Sequence, residues 1–385
     1  MSLKSILKKL ILENAGLECR NCGGKKARLN EVDWSQFGDV SAKKMSIEET
    51  KEYLKKIVGN CGSGEKLSPD KPYIHAKKIP QTAEGDIDIK EFIRNITQMP
   101  SEIISKNQKM MKSEGEDSIS LNIGIPALRG LLYDTDSNEF YIINTCPGAG
   151  SCALICYARR GSYVMFPDVF VKQTRVLSLL MNKPEMFQRM LSHEIEGIAM
   201  KYPNKQIDFR WNDAGDFFTR KYFNIATEIT KDLQRKGYNV KSYGYTKMGD
   251  IMNLQDPSVV LNFSDDANKR ETSKIQDLAK TKTSKIVAKE LFDDLFAKEK
   301  GKYIADEKGK IVFKSPAAEQ ELKNRIAKTF KVDVNTLLTY TEYVQRLMSK
   351  GKGQPNQFNV IVMPKGDGDI TARNTDVQTT FLLFH

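Results

Sequence analysis

Gln206-Ile-Asp-Phe-Arg-Trp211, then Thr219-Arg-Lys-Tyr-Phe-Asn-Ile-Ala-Thr-Glu-Ile-Thr-Lys-Asp-Leu-Gln-Arg-Lys236, then Asn239-Val-Lys-Ser-Tyr-Gly-Tyr-Thr246 is the succession that decides the fold. The outer segments alternate apolar and polar residues, the period of a strand. The middle one spaces its apolar residues at three and four, the period of a helix, and Gly237 closes it. Two strands joined by a helix of this length must lie parallel, because a hairpin can connect only antiparallel neighbours. Outward from this unit, Val259–Phe263, Lys285–Lys289 and Phe358–Met363 read as further strands, Ser118–Ile123 and Phe140–Asn144 as earlier ones. Asp168–Tyr202 reads as a helix broken near Pro184. The expected fold is α/β: a barrel-like or partial-barrel parallel sheet with helical crossovers, preceded by a mainly helical N-terminal region.

The expected boundary lies near residue 115, giving an N-terminal region 1–115 and an α/β domain 116–385. In the first, Ser46-Ile-Glu-Glu49 is a capping-box pattern opening a helix that Gly59 ends, residues 66–84 form an arm rich in Pro, Lys and Asp, and residues 88–113 resume helical spacing. Within the second, residues 264–352 read as a helical insertion: a hairpin-like Lys302–Lys314, then helices Pro316–Phe330 and Val334–Ser349.

Composition narrows the function classes. Of 385 residues, 40% are hydrophobic and 28% charged, enough for a core and unlike a disordered chain. Lys and Arg number 60 against 49 acidic residues, a net charge of +11 that favours a polyanionic partner. No apolar run reaches the roughly 18 to 20 residues of a membrane span, so no span is expected. Met1–Leu12 mixes lysine with leucine and isoleucine at helical spacing, an amphipathic helix rather than a secretory signal.

The six cysteines fall into two groups. Cys146, Cys152 and Cys156 stand as C-x5-C-x3-C on a glycine-containing loop after the strand Phe140–Asn144. Three thiolates so spaced can wrap one metal centre and leave a coordination position open, while the glycines let backbone amides turn towards sulfur. An iron–sulfur cluster, zinc, and reduced or disulfide-forming structural cysteines all fit this reading; the spacing differs from the C-x3-C-x2-C of radical S-adenosylmethionine enzymes. Arg159 and Arg160 just beyond Cys156 could offset cluster charge or hold a phosphate. Cys19 and Cys22, with Cys61 and His75, make a second set with the residue types of a structural zinc site.

Polar groups gather at the strand ends. Asn212, Asp213 and Asp216 follow Trp211, with Gly215 for a sharp turn. Asp213 and Asp216 are candidates for proton transfer, ribose binding or metal ligation, Asp216 alternatively for capping the next helix. Tyr243 and Tyr245 share one face of their strand, and Lys247 follows them, a set that can stack a base and meet a phosphate. Asp265 and Asp266 close the next strand. Asp367, Asp369 and His385 in the tail, and His193 on a helix, are weaker candidates.

Cys146-Pro-Gly-Ala-Gly-Ser-Cys-Ala-Leu-Ile-Cys-Tyr-Ala158, then Asp213-Ala-Gly-Asp-Phe217, then Tyr243-Gly-Tyr-Thr-Lys247 resemble, in the same order, the motifs of the bacteriophage and mobile-element family called gene product 88. The resemblance covers about residues 120–265 and resumes at Asn359–His385. It implies a phage origin and a host-cytoplasmic setting, and leaves the activity open. Three classes follow. The first is an iron–sulfur enzyme, with S-adenosylmethionine at the open iron, that modifies a nucleotide or nucleic acid using Asp213, Asp216 and Lys247, with Asn212, Arg159, Arg160, Tyr243, Tyr245 and Asp265 on substrate or cofactor. The second is a non-catalytic zinc protein that binds nucleic acid or a host protein. The third is a divalent-metal nuclease or hydrolase.

Overall fold

A computed structural model describes residues 34–38, 40–59, 74, 75, 83, 88–105, 117–159, 162–287, 303–305, 311–350, 353–363 and 368–383. In chain order its strands are β1 Ala42–Met45, β2 Val58–Gly59, β3 Ile74–His75, β4 Ser118–Asn122, β5 Arg129–Asp134, β6 Glu139–Asn144, β7 Gln206–Trp211, β8 Val240–Thr246, β9 Val259–Ser264, β10 Thr283–Val287, β11 Tyr303–Ala305, β12 Ile311–Phe313, β13 Leu337–Thr339, β14 Phe358–Val362 and β15 Val377–Leu383.

Eight strands form the main sheet in the spatial order β4-β7-β8-β9-β10-β15-β14-β13, and every neighbouring pair is parallel. The chain crosses from β4 to β10 in one direction, moves to the far edge at β13, and works back so that β15 fills the gap between β10 and β14. Among the described residues no pairing joins the edges β4 and β13, so the sheet is an open run and not a closed barrel. Helical crossovers join the successive strands as expected. Arg220–Arg235 links β7 to β8, with the Thr219 side chain accepting from the Tyr222 amide and Gly237 at φ +87° beyond its end. Helices Pro167–Asn182 and Pro184–Lys201 precede β7 and meet at Lys183, each with proline in its first turn, where a missing N–H costs nothing.

Strand alternation sorts the two faces. Ile207, Phe209 and Trp211 of β7 enter a core shared with Phe187, Tyr222 and Phe223 of the covering helices. The fully buried Trp211 ring meets Phe209 edge-on at 4.9 Å and Tyr222 at 6.3 Å. The opposite face carries charge. Arg210 Nη1 lies 2.9 Å from Asp369. Arg373 Nη1 lies 2.6 Å from Asp208 Oδ2, an ion pair by distance whose angle makes no hydrogen bond. Both pairs anchor the short helix Asp369–Arg373, which lies on this face just before β15. Lys282 adds bonds from Nζ to the carbonyls of Thr371, Asn374 and Val377 at 2.9, 2.9 and 2.6 Å.

A second sheet, β1-β6-β5, is antiparallel throughout. It differs from the expectation that the strand ending at Asn144 belongs to the parallel sheet. The reason is the four-residue turn Thr135–Asn138 between β5 and β6, with Asn138 at φ +56°: so short a link can only return antiparallel. Helix Ile47–Ile57 begins with the expected capping box, Glu49 N donating to Ser46 Oγ at 3.0 Å and Ser46 N to Glu49 Oε2 at 2.8 Å. With helix Ile89–Ile96 it closes a core of Met45, Leu54, Phe92, Leu131, Phe140 and Phe170. β1–β6 pairing and the Ser105–Asn122 bridge both cross the sequence boundary near residue 115. Residues 264–352 contain the expected hairpin, β11–β12, and helix Pro316–Phe330, and they also supply β10 and β13 to the main sheet. Among the described residues no helix is long and apolar enough to cross a membrane.

Candidate functional site

The cysteine loop leaves β6 in the small sheet and is laid across the carboxyl ends of β8 and β9. Ala149 forms an antiparallel bridge with Ala267, and Asn268 donates from its backbone N to the Gly148 carbonyl at 2.9 Å and from Nδ2 to the Pro147 carbonyl at 3.0 Å. Two glycines permit this contact. A Cβ on Gly148 would stand 2.4 Å from the Lys247 carbonyl oxygen, and one on Gly150 2.4 Å from that of Asp266. Cys146 Sγ accepts from the Leu128 amide at 3.3 Å, and the Cys146 amide donates to Asn144 Oδ1 at 3.0 Å. Cys152 opens a one-turn helix, and Cys156 follows it.

Beneath the thiols lies Lys247, whose Nζ is 3.2 Å from Asp266 Oδ1; the two side chains are 19% and 13% exposed. Asp216 is fixed by amides, Oδ1 accepting from Phe217 N at 2.6 Å and Oδ2 from Lys247 N at 2.9 Å, while Thr219 caps the next helix. Burial pushes the Cys146 thiol up to about 12, reinforced by the Asp216 carboxylate, and Cys152 up to about 11, where Lys247 opposes the burial and Asp266 adds to it. Burial raises Cys156 and Asp216 as well. Burial pulls Lys247 down, but Asp266, Cys152 and Asp216 together outweigh it and hold the ammonium charged. Burial thus outweighs Lys247 at Cys146 and Cys152, and Lys247 with Arg159 at Cys156, so the thiols stay protonated until a further positive charge arrives.

That donor set suits a soft metal or an iron–sulfur cluster: three sulfurs on one loop, an amide already aimed at sulfur, and a nearby ammonium. Among the described residues no three His, Cys, Asp or Glu side chains stand close enough to share one ion in this arrangement. Binding would therefore draw the loop cysteines together.

Beside this cluster, Asp213 is held by a second network. Its Oδ2 accepts from Asn122 Nδ2 at 2.7 Å and from the Tyr163 hydroxyl at 3.0 Å, and its carbonyl accepts from the Tyr157 hydroxyl. Asn212 takes the left-handed φ of +55° and accepts from the Tyr222 hydroxyl at 2.7 Å. Gly215, at φ +80°, makes the expected sharp turn, where a Cβ would be 2.4 Å from Ile125. The Arg210 guanidinium lies 5.2 Å from the Tyr245 ring centroid.

A family model described as Gene product 88 matches residues 102–327, more than half of the chain. The chain belongs to the gene product 88 family. The match reaches into both the N-terminal region and the segment 264–352, beyond the stretch that carries the motif resemblance. No curated protein and no solved structure matches the chain significantly.

Of the sequence-derived site residues in this gene product 88 chain, Cys146, Cys152, Cys156, Asp216 and Lys247 come together, with Asp213 and Asn212 on the adjoining loop. Tyr243 and Tyr245 share a face as expected, but Tyr243 is fully buried against Ala372. Arg159, 7% exposed, lines a cavity with Arg129, and its charge favours the Cys156 thiolate. Asp265 is exposed and pairs with Lys285 at 3.1 Å, so Asp266 is the acid that faces the loop. Asp369 pairs with Arg210, and His193 is exposed on its helix. Arg160, Cys19, Cys22, Cys61, Asp367 and His385 lie outside the described residues, as does the side chain of His75. Sequence reasoning passed over Arg210, Tyr157 and Tyr163. A charged residue between Phe209 and Trp211 was the available signal for the first, since alternation sends it to the non-helical face.

Proposed function

We propose that Cys146, Cys152 and Cys156 hold an iron–sulfur cluster, with zinc as the alternative metal, at the carboxyl edge of the parallel sheet, and that the protein modifies a nucleotide or nucleic acid there. The supporting observation is the gathering of three partly buried thiols with the carboxylates of Asp216 and Asp266 beside Lys247, and with Arg159 beside Cys156. When bound, a cluster with three protein ligands supplies an open iron position for S-adenosylmethionine and one-electron chemistry. In this reading Lys247 offsets thiolate charge, and the amides around Asp216 keep the loop after β7 fixed against β8. Asp213 presents a carboxylate whose position Asn122 and Tyr163 set, suited to hold a ribose or ammonium group. The host cytoplasm is the setting that a phage protein of this kind implies.

Anaerobic reconstitution with iron and sulfide, followed by metal, sulfide and visible-absorption analysis, tests the reading. It expects iron and sulfide together with charge-transfer absorption, both lost in Cys146→Ala, Cys152→Ala and Cys156→Ala. Zinc at full occupancy with no such absorption removes the iron–sulfur version and leaves a zinc protein that binds a polyanion or a host protein, for which Asp213→Asn is silent and nucleic-acid affinity falls steeply with salt.

A further inference from the structure

Asp266 stands in the turn that follows β9, where the Ala267 amide donates to the Ser264 carbonyl at 3.1 Å. The cysteine loop is fixed to this turn: Ala149 bridges Ala267, and a Cβ on Gly150 would stand 2.4 Å from the Asp266 carbonyl oxygen. The Asp266 side chain is 13% exposed, and its Oδ1 lies 3.2 Å from Lys247 Nζ. Its Oδ2 is buried, and among the described residues no donor reaches it. The same carboxylate is close enough to Cys152 for the two side chains to interact. Asp216, the other carboxylate beside the thiols, differs in this respect, because the amides of Phe217 and Lys247 take up one oxygen each.

A carboxylate oxygen buried without a donor is unfavourable, and a metal ion brought in by the neighbouring sulfurs would satisfy it. Zinc takes four ligands in a tetrahedron, carboxylate oxygen among them, and a [4Fe–4S] cluster on three cysteines has one iron left for a fourth. Lys247 on Oδ1 fixes the orientation of the carboxylate, as the outer partners of metal ligands do.

We infer that Asp266 is the fourth protein ligand of the centre that Cys146, Cys152 and Cys156 form, with Oδ2 on the metal and Oδ1 kept by Lys247. The inference rests on the metal-binding part of the reading above and holds for zinc and for a cluster alike. Carboxylate oxygen is harder than thiolate sulfur and matches a soft centre less well. The fourth position is therefore filled at rest and is the first to yield to an incoming ligand such as S-adenosylmethionine, while the three sulfurs stay.

Cobalt(II), a coloured stand-in for zinc, tests this on the purified full chain without oxygen. Absorption that is lost in Cys152→Ala isolates this site from the other cysteines. Asp266→Ala and Asp266→Asn should each weaken cobalt binding there by about tenfold or more, no less than the loss of an outer partner costs. Asp266→Cys should restore it, with sulfur-to-cobalt absorption stronger by about a third as four thiolates replace three. A role confined to the ion pair with Lys247 gives a different pattern, because cysteine replaces that partner no better than asparagine does. Cobalt affinity and spectrum unchanged in Asp266→Ala, or affinity left unrestored in Asp266→Cys, overturns the ligand assignment and leaves the three-cysteine site standing. Absence of any Cys152-dependent cobalt absorption in the unsubstituted chain overturns the assignment together with the metal site. Failure of the iron and sulfide reconstitution removes only the cluster, since the cobalt result does not depend on it.

Discussion

Cys146 and Cys152 set the chemistry of the site by being hard to ionise. An ordinary thiol titrates near 8.5, whereas burial, with Asp216 beside the first and Asp266 beside the second, carries these to about 12 and about 11. A raised folded value means that the unfolded chain loses its proton first as pH rises. The stability these thiols contribute is therefore complete below about pH 8.5 and is lost as pH climbs through about 11 to 12. In metal-free protein, alkylation by iodoacetamide at pH 7.5 should be about a hundredfold slower than for a free thiol, because so little thiolate is present. Mass spectrometry of the alkylated peptides reads this directly, and fast labelling of Cys152 at neutral pH would contradict it. Lys247 sharpens the same point. Lys247→Met leaves the partly buried Asp266 without its cation, a loss of about 1–3 kcal/mol expected in urea unfolding, and Lys247→Met with Asp266→Leu should recover part of it.

The loop and the strand ends it covers form one fitted unit. Gly148→Ala and Gly150→Ala each drive a methyl against backbone carbonyl carbon and oxygen that cannot rotate away, so the loop must lift, at a cost of about 1–3 kcal/mol and with faster cysteine labelling. Gly197 supplies the contrast. It sits inside helix Pro184–Lys201 with nothing within 4 Å of its would-be Cβ, and Gly197→Ala should stabilise by about 0.5–1 kcal/mol in thermal unfolding. Much at this scale is legible in sequence. Ser46, Thr219, Pro167, Pro184 and Pro316 mark helix starts through local chemistry that needs no distant partner. β15 is the counterexample. Its Thr379 and Thr380 interrupt an apolar pattern, and they fit because Thr379 bonds Thr283 at 3.1 Å and Thr380 bonds Thr371 at 3.0 Å. Likewise the motif residues can be read off the chain, but that Asp266 and not Asp265 faces Lys247 depends on how β9 ends against a loop more than a hundred residues earlier.

At the level of the whole molecule, the N-terminal region touches both sheets, β1 pairing with β6 of the small one and Ser105 bridging Asn122 of the parallel one. A chain beginning at residue 116 loses β1 and helices Ile47–Ile57 and Ile89–Ile96, and bares Leu131, Tyr133, Phe140 and Phe170. Apolar side chains of that size left uncovered favour association, so this shortened protein should elute as aggregates in size-exclusion chromatography and bind the dye ANS, where the full chain does neither. The order of strands has a further consequence, in time. Translation proceeds from the N-terminus, so β4, β7, β8 and β9, with the cysteine loop upon them, leave the ribosome well before residues 377–383 are made. β15 is the piece that joins β10 to β14, and until it is synthesised those two strands have no neighbour in common. The nascent chain can therefore seat its three cysteines on β8 and β9 while the far side of the sheet is still unmade, which puts the assembly of the site ahead of the completion of the fold.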